Sequence, residues 1–396
     1  MAVRHVHPFP ARMAPKLALE ALKGVRPGGR VLDPMCGSGT VLREALMRGL
    51  AATGRDVDPL AVLMSRVATT KPDMPDALRA AEAVLGRARE LCDTGELALP
   101  AIDNDPKAVE YVRFWFGPRQ ERHLRALALA LAEQSPPSSD ILRLAMSRMI
   151  IRKESGASLA RDVSHSRPHR VSDSSSFDVL ASFIPSVERI IAAIDLVPPA
   201  DVSVRLGDAR CLSDIEDGSI AAVVTSPPYL NAIDYIRGHR LALIWLGESL
   251  DELRRIRSSS VGAERAPSIE YDSDRIDRLL LDRSGAEALP RRFRNMVRRF
   301  AGDIDMVLAE TSRVLEAGGR AVFVIGNSLI RGVSIDNAAI LLAAARLHGL
   351  SPTNRSEREL PPSRRYLPPP SAGATPLAQR MKTETILAFR ARPARS

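Results

Sequence analysis

Cysteine is scarce in this chain of 396 residues: Cys36, Cys92 and Cys211 are the only three, widely separated and in no metal-binding spacing. That argues against a disulfide framework, suggests a reducing compartment, and gives no reason to assign a metal. Also missing are an apolar run long enough to cross a bilayer and a signal-like apolar block at the N-terminus. The sequence therefore predicts a cytoplasmic protein with no membrane partner. Its glycine-rich loop lacks the Lys-Ser or Lys-Thr ending of a phosphate loop, which argues against ATP and GTP. It also lacks the GxGxxG spacing of dinucleotide enzymes. No internal repeat is visible.

That loop is DPMCGSGT, residues 33 to 40. Val31 and Leu32 precede it as an apolar run, and VLREALMRG follows with the spacing of an amphipathic helix, so the glycines sit at a strand-to-helix turn. Gly37 and Gly39 can take backbone angles closed to other residues and let a ligand approach the main chain. Roughly twenty residues on, AATGRDVDPLAV reads as a second strand ending in Asp56 and Asp58. An acid there suits the two hydroxyls of a ribose, and Asp56 is the candidate. Asp33, beside the loop, suits a cationic amino-acid moiety better than a pyrophosphate.

The second motif is TSPPYLNAIDY, residues 225 to 235. With both motifs in place, the chain resembles the S-adenosylmethionine-dependent amino methyltransferases of DNA, specifically the cytosine-N4 type with an S-P-P-Y motif, over most of its length. The resemblance implies an α/β, Rossmann-like class I methyltransferase fold, with a mixed seven-stranded sheet and helical insertions, and S-adenosyl-L-methionine as cofactor. HPFPARMAPKLALEAL, residues 7 to 22, is similar to the family's segment before the first strand, which would put Phe9 and Pro10 at the cofactor. Asp33, Pro34, Met35, Cys36, Gly37, Ser38, Gly39 and Thr40 would hold its methionine part. Asp56 would take the ribose, and Asp208, in VRLGDAR, would meet the adenine. Ser226, Pro227, Pro228 and Tyr229 would supply the chemistry.

The chemical need for such a motif is specific. An exocyclic amino nitrogen delocalises its lone pair into the base ring and is a poor nucleophile. Hydrogen bonds from the amino group to the Ser226 hydroxyl and the Pro227 carbonyl favour a tetrahedral nitrogen aimed at the methyl sulfonium. The prolines stiffen the loop, and Tyr229 offers a face to a base turned out of its helix. Methylation at carbon 5 of cytosine needs a thiolate in a Pro-Cys pair, and none of the three cysteines follows a proline. Serine at the motif's first position favours cytosine by resemblance, with adenine as the second target. Enzymes that methylate guanine amino groups in transfer RNA share similar loops. They usually carry a separate N-terminal RNA-binding domain, for which a cofactor loop starting at residue 33 leaves no room. A non-catalytic nucleic-acid-binding module is disfavoured by the intact loops.

Composition fits this reading. Hydrophobic residues at 45% support a sizeable core, in one large domain with insertions or in two domains, and a net charge of +9 fits a polyanionic partner. The expected partner is double-stranded DNA with a flipped target base, with a cognate restriction endonuclease acting on the same site. The segment EALPRRFRNMVRRF supplies phosphate contacts from Arg291, Arg292, Arg294 and Arg298, with Arg299 nearby, while Phe293, Met296, Val297 and Phe300 are apolar enough to pack.

Five stretches follow. Residues 1–70 form the cofactor-binding first part, 71–200 a mainly helical insertion that could read the target, and 201–247 the catalytic part. An Arg-rich helical insertion occupies 248–300, and 301–396 complete the domain. Within 71–200, a Ser-, Arg- and His-rich stretch includes His165 and His169, to which no metal is assigned. Near the C-terminus, PTNRSERELPPSRRYLPPP and TETILAFR resemble the fold's closing antiparallel hairpin, and the intervening SRRYLPPP places Arg364, Arg365 and Tyr366 at the rim of the target base.

Overall fold

The computed structural model describes residues 6–9, 12–71, 73–95, 97–152, 155–161, 168–194, 201–230, 234–263, 271–280, 286–360 and 383–393. Seven strands form one sheet: β1 (Arg30–Asp33), β2 (Ala51–Asp56), β3 (Val202–Leu206), β4 (Ile220–Thr225), β5 (Leu315–Ile325), β6 (Ser351–Glu359) and β7 (Thr383–Arg390). Their order across the sheet is β6-β7-β5-β4-β1-β2-β3. β1 to β5 pair in parallel, while β7 runs antiparallel to both β5 and β6. This is the Rossmann-like class I methyltransferase arrangement, with the C-terminal hairpin where the sequence placed it.

The central strands read as continuous apolar runs because helices cover both faces. All six residues of β4 are buried. Alternate residues serve opposite layers. Val31, Val224 and Val322 join one cluster, with residues of α1 (Pro15–Ala21) and α2 (Thr40–Leu46). Leu32, Val223 and Phe323 join the other, beneath α13 (Arg291–Val314) and α14 (Asn337–Leu347). β1 has β2 on one side and β4 on the other, so the strand order reverses there, and the crevice at the carboxyl ends of β1 and β4 is where such sheets bind ligands.

The stretch after β2 is helical. α3 (Pro59–Thr69) returns along the sheet, and α4 (Met74–Thr94), α5 (Pro100–Asp103), α6 (Pro106–Trp115), α7 (Pro118–Ala132), α8 (Ser138–Ile150) and α9 (Val179–Ile194) follow. Pro at the first turn of α3, α4, α6 and α7 starts each helix at a position whose N–H has no helical partner. The bundle shares one apolar cluster with α3 and with α10 (Tyr235–Leu243) and α11 (Leu250–Ser259), so it is docked onto the catalytic part. α12 (Ser273–Leu280) packs on α13. α13 passes through residue 300 without a break, so the Arg-rich segment is the first half of the helix that leads into β5. No helix of the described residues is long and apolar enough to cross a membrane.

Candidate active site

The cofactor loop joins β1 to α2. Gly37 has φ +50° and Gly39 φ +76°, backbone that side chains adopt only under strain. Space is short as well: a Cβ at Gly39 would meet the Ser65 Cα at 2.9 Å, and one at Gly37 the Phe9 ring at 3.1 Å. Neighbours pin the loop open. The Cys36 N–H donates to the Arg55 carbonyl at 2.9 Å, the Ser65 hydroxyl to the Gly37 carbonyl at 3.0 Å, and the Gly37 N–H to Asp56 Oδ2 at 2.8 Å. Cys36 is buried and its thiol is pushed well up by burial, which leaves it a packing residue rather than a nucleophile. Pro34, Met35, Ser38 and Thr40 complete the turn, with the Met35 N–H on Asp33 at 3.3 Å.

Two carboxylates stand at adjacent strand ends. Asp33, 4% exposed, accepts from the Thr225 hydroxyl at 2.7 Å, and burial pushes its carboxyl up to about 7. Asp56 accepts from Gly37 and, through Oδ1, from the Asp58 N–H at 3.0 Å; burial and then the charge of Asp58 also push it up to about 7. Each oxygen of Asp56 thus has one donor, and a carboxylate has about four lone-pair sites, so it keeps capacity to accept from further donors. Carboxylates held this close to neutrality gain most from a ligand that brings a cation and hydroxyl donors. The glycine cradle and this acid pair fit S-adenosylmethionine.

Phe9 lies over the loop, its ring stacked on Tyr235 (centroids 5.1 Å apart, planes 5° apart) and tilted against His239 at 5.7 Å. Pro10 lies outside the described residues. Asp208 is placed near Asp56, since the Gly207 N–H donates to the Asp56 carbonyl at 3.0 Å. Its carboxylate, however, is held by Arg210, whose Nε reaches Oδ1 at 3.0 Å and whose Nη2 reaches Oδ2 at 2.6 Å. Arg210 also binds Asp303 at 2.6 Å, so an adenine contact at Asp208 shares its oxygens with this ion pair.

The catalytic loop leaves β4 immediately after Thr225. Thr225 holds Asp33, and one residue on the Ser226 hydroxyl donates to the Val324 carbonyl of β5 at 2.9 Å. With its hydrogen committed there, Ser226 Oγ presents lone pairs, the correct polarity for accepting from an amino group. Pro227 is buried and Pro228 half-buried. Tyr229 is anchored rather than loose: its hydroxyl donates to Glu384 of β7 at 2.9 Å, and Glu384 is paired with Arg358 of β6 at 2.7 Å. Burial and the Glu384 charge push that hydroxyl well above its usual range.

Along α13, Arg291, Arg292 and Arg294 are exposed, and Met296, Val297 and Phe300 are buried on the opposite side. Arg298 is paired with Asp277, which competes with a phosphate role. Arg292 and Arg331 both lie over the Phe293 ring, at 5.8 and 5.3 Å. Arg364, Arg365, Tyr366 and His165 lie outside the described residues, and His169 sits in a short ribbon, Ala160–Arg161 with His169–Arg170. Four residues that hold the site were missed in the sequence: Ser65, Thr225, Tyr235 and His239. Thr225 and Tyr235 stand at the ends of the quoted motif, and the four-residue spacing of Tyr235 and His239 is the signal that could have found the pair.

The family profile described as "RMKL-like, methyltransferase domain" (UPF0020) matches residues 4–113. A type II methyltransferase, M.MvaI, of Kocuria varians is 23% identical over 365 residues, 85% of this chain and 79% of that protein. The tRNA (guanine(10)-N2)-dimethyltransferase of Methanothermobacter thermautotrophicus is 47% identical over 58 residues, 14% of this chain and 17% of that protein. A solved SAM-dependent methyltransferase of Methanosarcina mazei overlays with a TM-score of 0.36 at 9% identity, covering 97% of this chain and all of that one. The match to a methyltransferase domain spans residues 4–113, which carry the glycine cradle and both acids, and it agrees with the class I methyltransferase strand order and with S-adenosylmethionine as cofactor.

Proposed function

We propose that the chain methylates the exocyclic N4 amino group of cytosine in double-stranded DNA, at a base turned out of the duplex. One observation carries this reading: Ser226, oriented by the Val324 carbonyl, follows directly on Thr225, which grips Asp33 at the cofactor loop. The hydroxyl read as the amino acceptor and the loop read as the cofactor site thereby lie at neighbouring strand ends. S-adenosylmethionine supplies an electrophilic methyl on a sulfonium. Ser226 Oγ and the Pro227 carbonyl accept the two amino hydrogens, which draws the lone pair out of conjugation and points it away from the loop. Two neutral acceptors suit an amino nitrogen that becomes cationic as it is methylated and then sheds one of its two protons to water to give the neutral product. Tyr229, fixed by Glu384, borders the slot in which the base stacks. A companion endonuclease reading the same site belongs to this proposal, and adenine N6 is the alternative base, since it presents the same amino geometry.

Support for DNA also comes from the relative named as a type II methyltransferase, which runs along most of the chain. A second reading, guanine N2 in RNA, has the 58-residue match to a tRNA guanine-N2 enzyme in its favour. Purified protein incubated with labelled S-adenosylmethionine and either unmodified genomic DNA or total RNA separates these by nucleoside mass analysis. N4-methylcytosine is the expected product. N6-methyladenine moves the base, and label confined to RNA overturns the substrate.

A further inference from the structure

Only three residues of sequence separate Leu230, at the end of the S-P-P-Y loop, from Asp234 at the start of α10, and one turn of that helix touches both Phe9 and Asp58 beside the cofactor loop. Asp234 caps the helix, accepting from the Arg237 N–H at 3.2 Å, and its other oxygen binds Arg257 of α11 at 2.6 Å, which fixes where the helix begins. Tyr235 and His239, four residues apart, share a face. Tyr235 stacks on Phe9, and Phe9 in turn lies against Gly37. His239 Nδ1 is 2.5 Å from Asp58 Oδ2, with both side chains almost fully buried, at 6% and 7% exposure. Asp58 extends the chain of bonds. Its Oδ1 caps α3 through the Leu60 N–H at 2.9 Å, and its own N–H donates to Asp56 Oδ1, whose partner oxygen holds Gly37.

We propose that Tyr235 and His239 are positioning residues that couple the two halves of the site, so that occupancy of the cofactor loop orders the Ser226 loop for its base and the base in turn tightens the cofactor. Two independent paths connect the same helix to the same loop: an aromatic one through Phe9 and a polar one through Asp58 and Asp56. Neither residue touches the reacting atoms in this scheme. A buried carboxylate such as Asp58 is costly without a donor, and His239 brings that donor from α10, so displacing the helix leaves the acid short of a partner. Coupling of this kind is reciprocal by thermodynamic necessity. The part of the proposal that concerns the base rests on the nucleic-acid reading above; the part that concerns α10 and the cofactor does not.

The first test therefore uses no nucleic acid. Hydrogen exchange of the full chain is followed with and without saturating S-adenosylhomocysteine, in wild type, Tyr235→Leu, His239→Ala and His239→Asn. Asn places an amide N–H where the imidazole Nδ1 donates. In wild type, the ligand is expected to slow exchange both in residues 33–40 and in 226–243. In Tyr235→Leu and His239→Ala the protection of 33–40 remains and that of 226–243 falls at least several-fold, while His239→Asn restores it. Tyr235→Leu leaves no buried charge unpaired and keeps the test available should His239→Ala fail to fold. Protection of 226–243 that is equal in all four proteins, or absent from wild type at saturation, overturns the coupling. The second test measures the ratio of the S-adenosylhomocysteine dissociation constants without and with fragmented genomic DNA. A wild-type ratio within the roughly 5- to 150-fold usual for coupled sites should fall toward one in Tyr235→Leu. A ratio of one in a wild-type protein that methylates that DNA overturns the coupling to the base and leaves the α10 link intact.

Discussion

In the proposed transfer, Ser226 acts through a single hydroxyl. Because its hydrogen is already given to the Val324 carbonyl, the residue acts as an acceptor, and Ser226→Ala removes that acceptor without opening the cofactor loop. Transfer should fall by on the order of a hundredfold, the usual cost of one positioned polar group, with S-adenosylmethionine affinity nearly unchanged. Single-turnover rates and calorimetric binding check the two halves separately, and an unchanged rate would remove Ser226 from the mechanism. Asp33 and Asp56 carry a different prediction. Both carboxyls are pushed up to about 7 in the folded chain, so they bind protons more tightly folded than unfolded. Their contribution to stability is therefore full below the ordinary carboxylate range and is lost as pH rises toward 7. Ligand binding runs the other way. A cation and hydroxyl donors favour the ionised acids, so S-adenosylmethionine affinity should rise from pH 6 to pH 8, by up to about tenfold per pH unit for each carboxylate below its pKa. A flat profile in calorimetry would mean that the ligand does not engage this pair. Both acids were legible in the sequence as strand-end carboxylates beside a glycine turn. Their shifted ionisation was not, because it comes from burial beneath segments that close over them only in the folded chain.

At the scale of elements, α13 has two roles along one helix. Its apolar stripe of Met296, Val297, Phe300, Ile304 and Leu308 packs against the sheet, while Arg291, Arg292 and Arg294 project from its first turn. Replacing those three arginines with Ala should weaken DNA binding at fixed salt and make the dependence of log affinity on log salt shallower by roughly 0.9 for each phosphate that is no longer neutralised. Fluorescence titrations at several salt concentrations read this directly, and an unaltered slope places the phosphate-binding surface elsewhere. Arg298 is left out of this set because Asp277 already neutralises it. The sequence showed the arginine cluster and its apolar partners at helical spacing. It could not show that the helix continues to Val314, since an apolar pattern fixes a face and not the element that face meets.

At the scale of the molecule, the helical bundle α4 to α9 is joined to α3 and α10 by one continuous apolar cluster. Phe183 of α9 is fully buried within it. Phe183→Ala should therefore cost about 3–5 kcal/mol and lower the stability of the catalytic part together with that of the bundle. Denaturant unfolding followed by circular dichroism and by tryptophan fluorescence should give one coincident transition, shifted to lower denaturant in the variant. Two separated transitions would show that the bundle folds on its own.

The sequence by itself determined what is local and repetitive. It identified the strand-turn-helix that needs Gly37 and Gly39, the acids at the ends of β1 and β2, the S-P-P-Y loop after an apolar strand, and the hairpin of β6 and β7. The glycine turn and the strand-end acids are set by backbone sterics and side-chain periodicity within a few residues, whereas the S-P-P-Y loop and the hairpin were legible through resemblance to the amino methyltransferases. Only the tertiary structure decided how Asp33 meets Thr225, how Arg210 meets Asp303 and Tyr229 meets Glu384, and how Phe9, Tyr235, His239 and Asp58 close around the cofactor loop. The partners in those pairings lie up to about 230 residues apart, brought together by sheet order and by burial. No local pattern encodes such a pairing, because its energy exists only once water has been excluded from both sides.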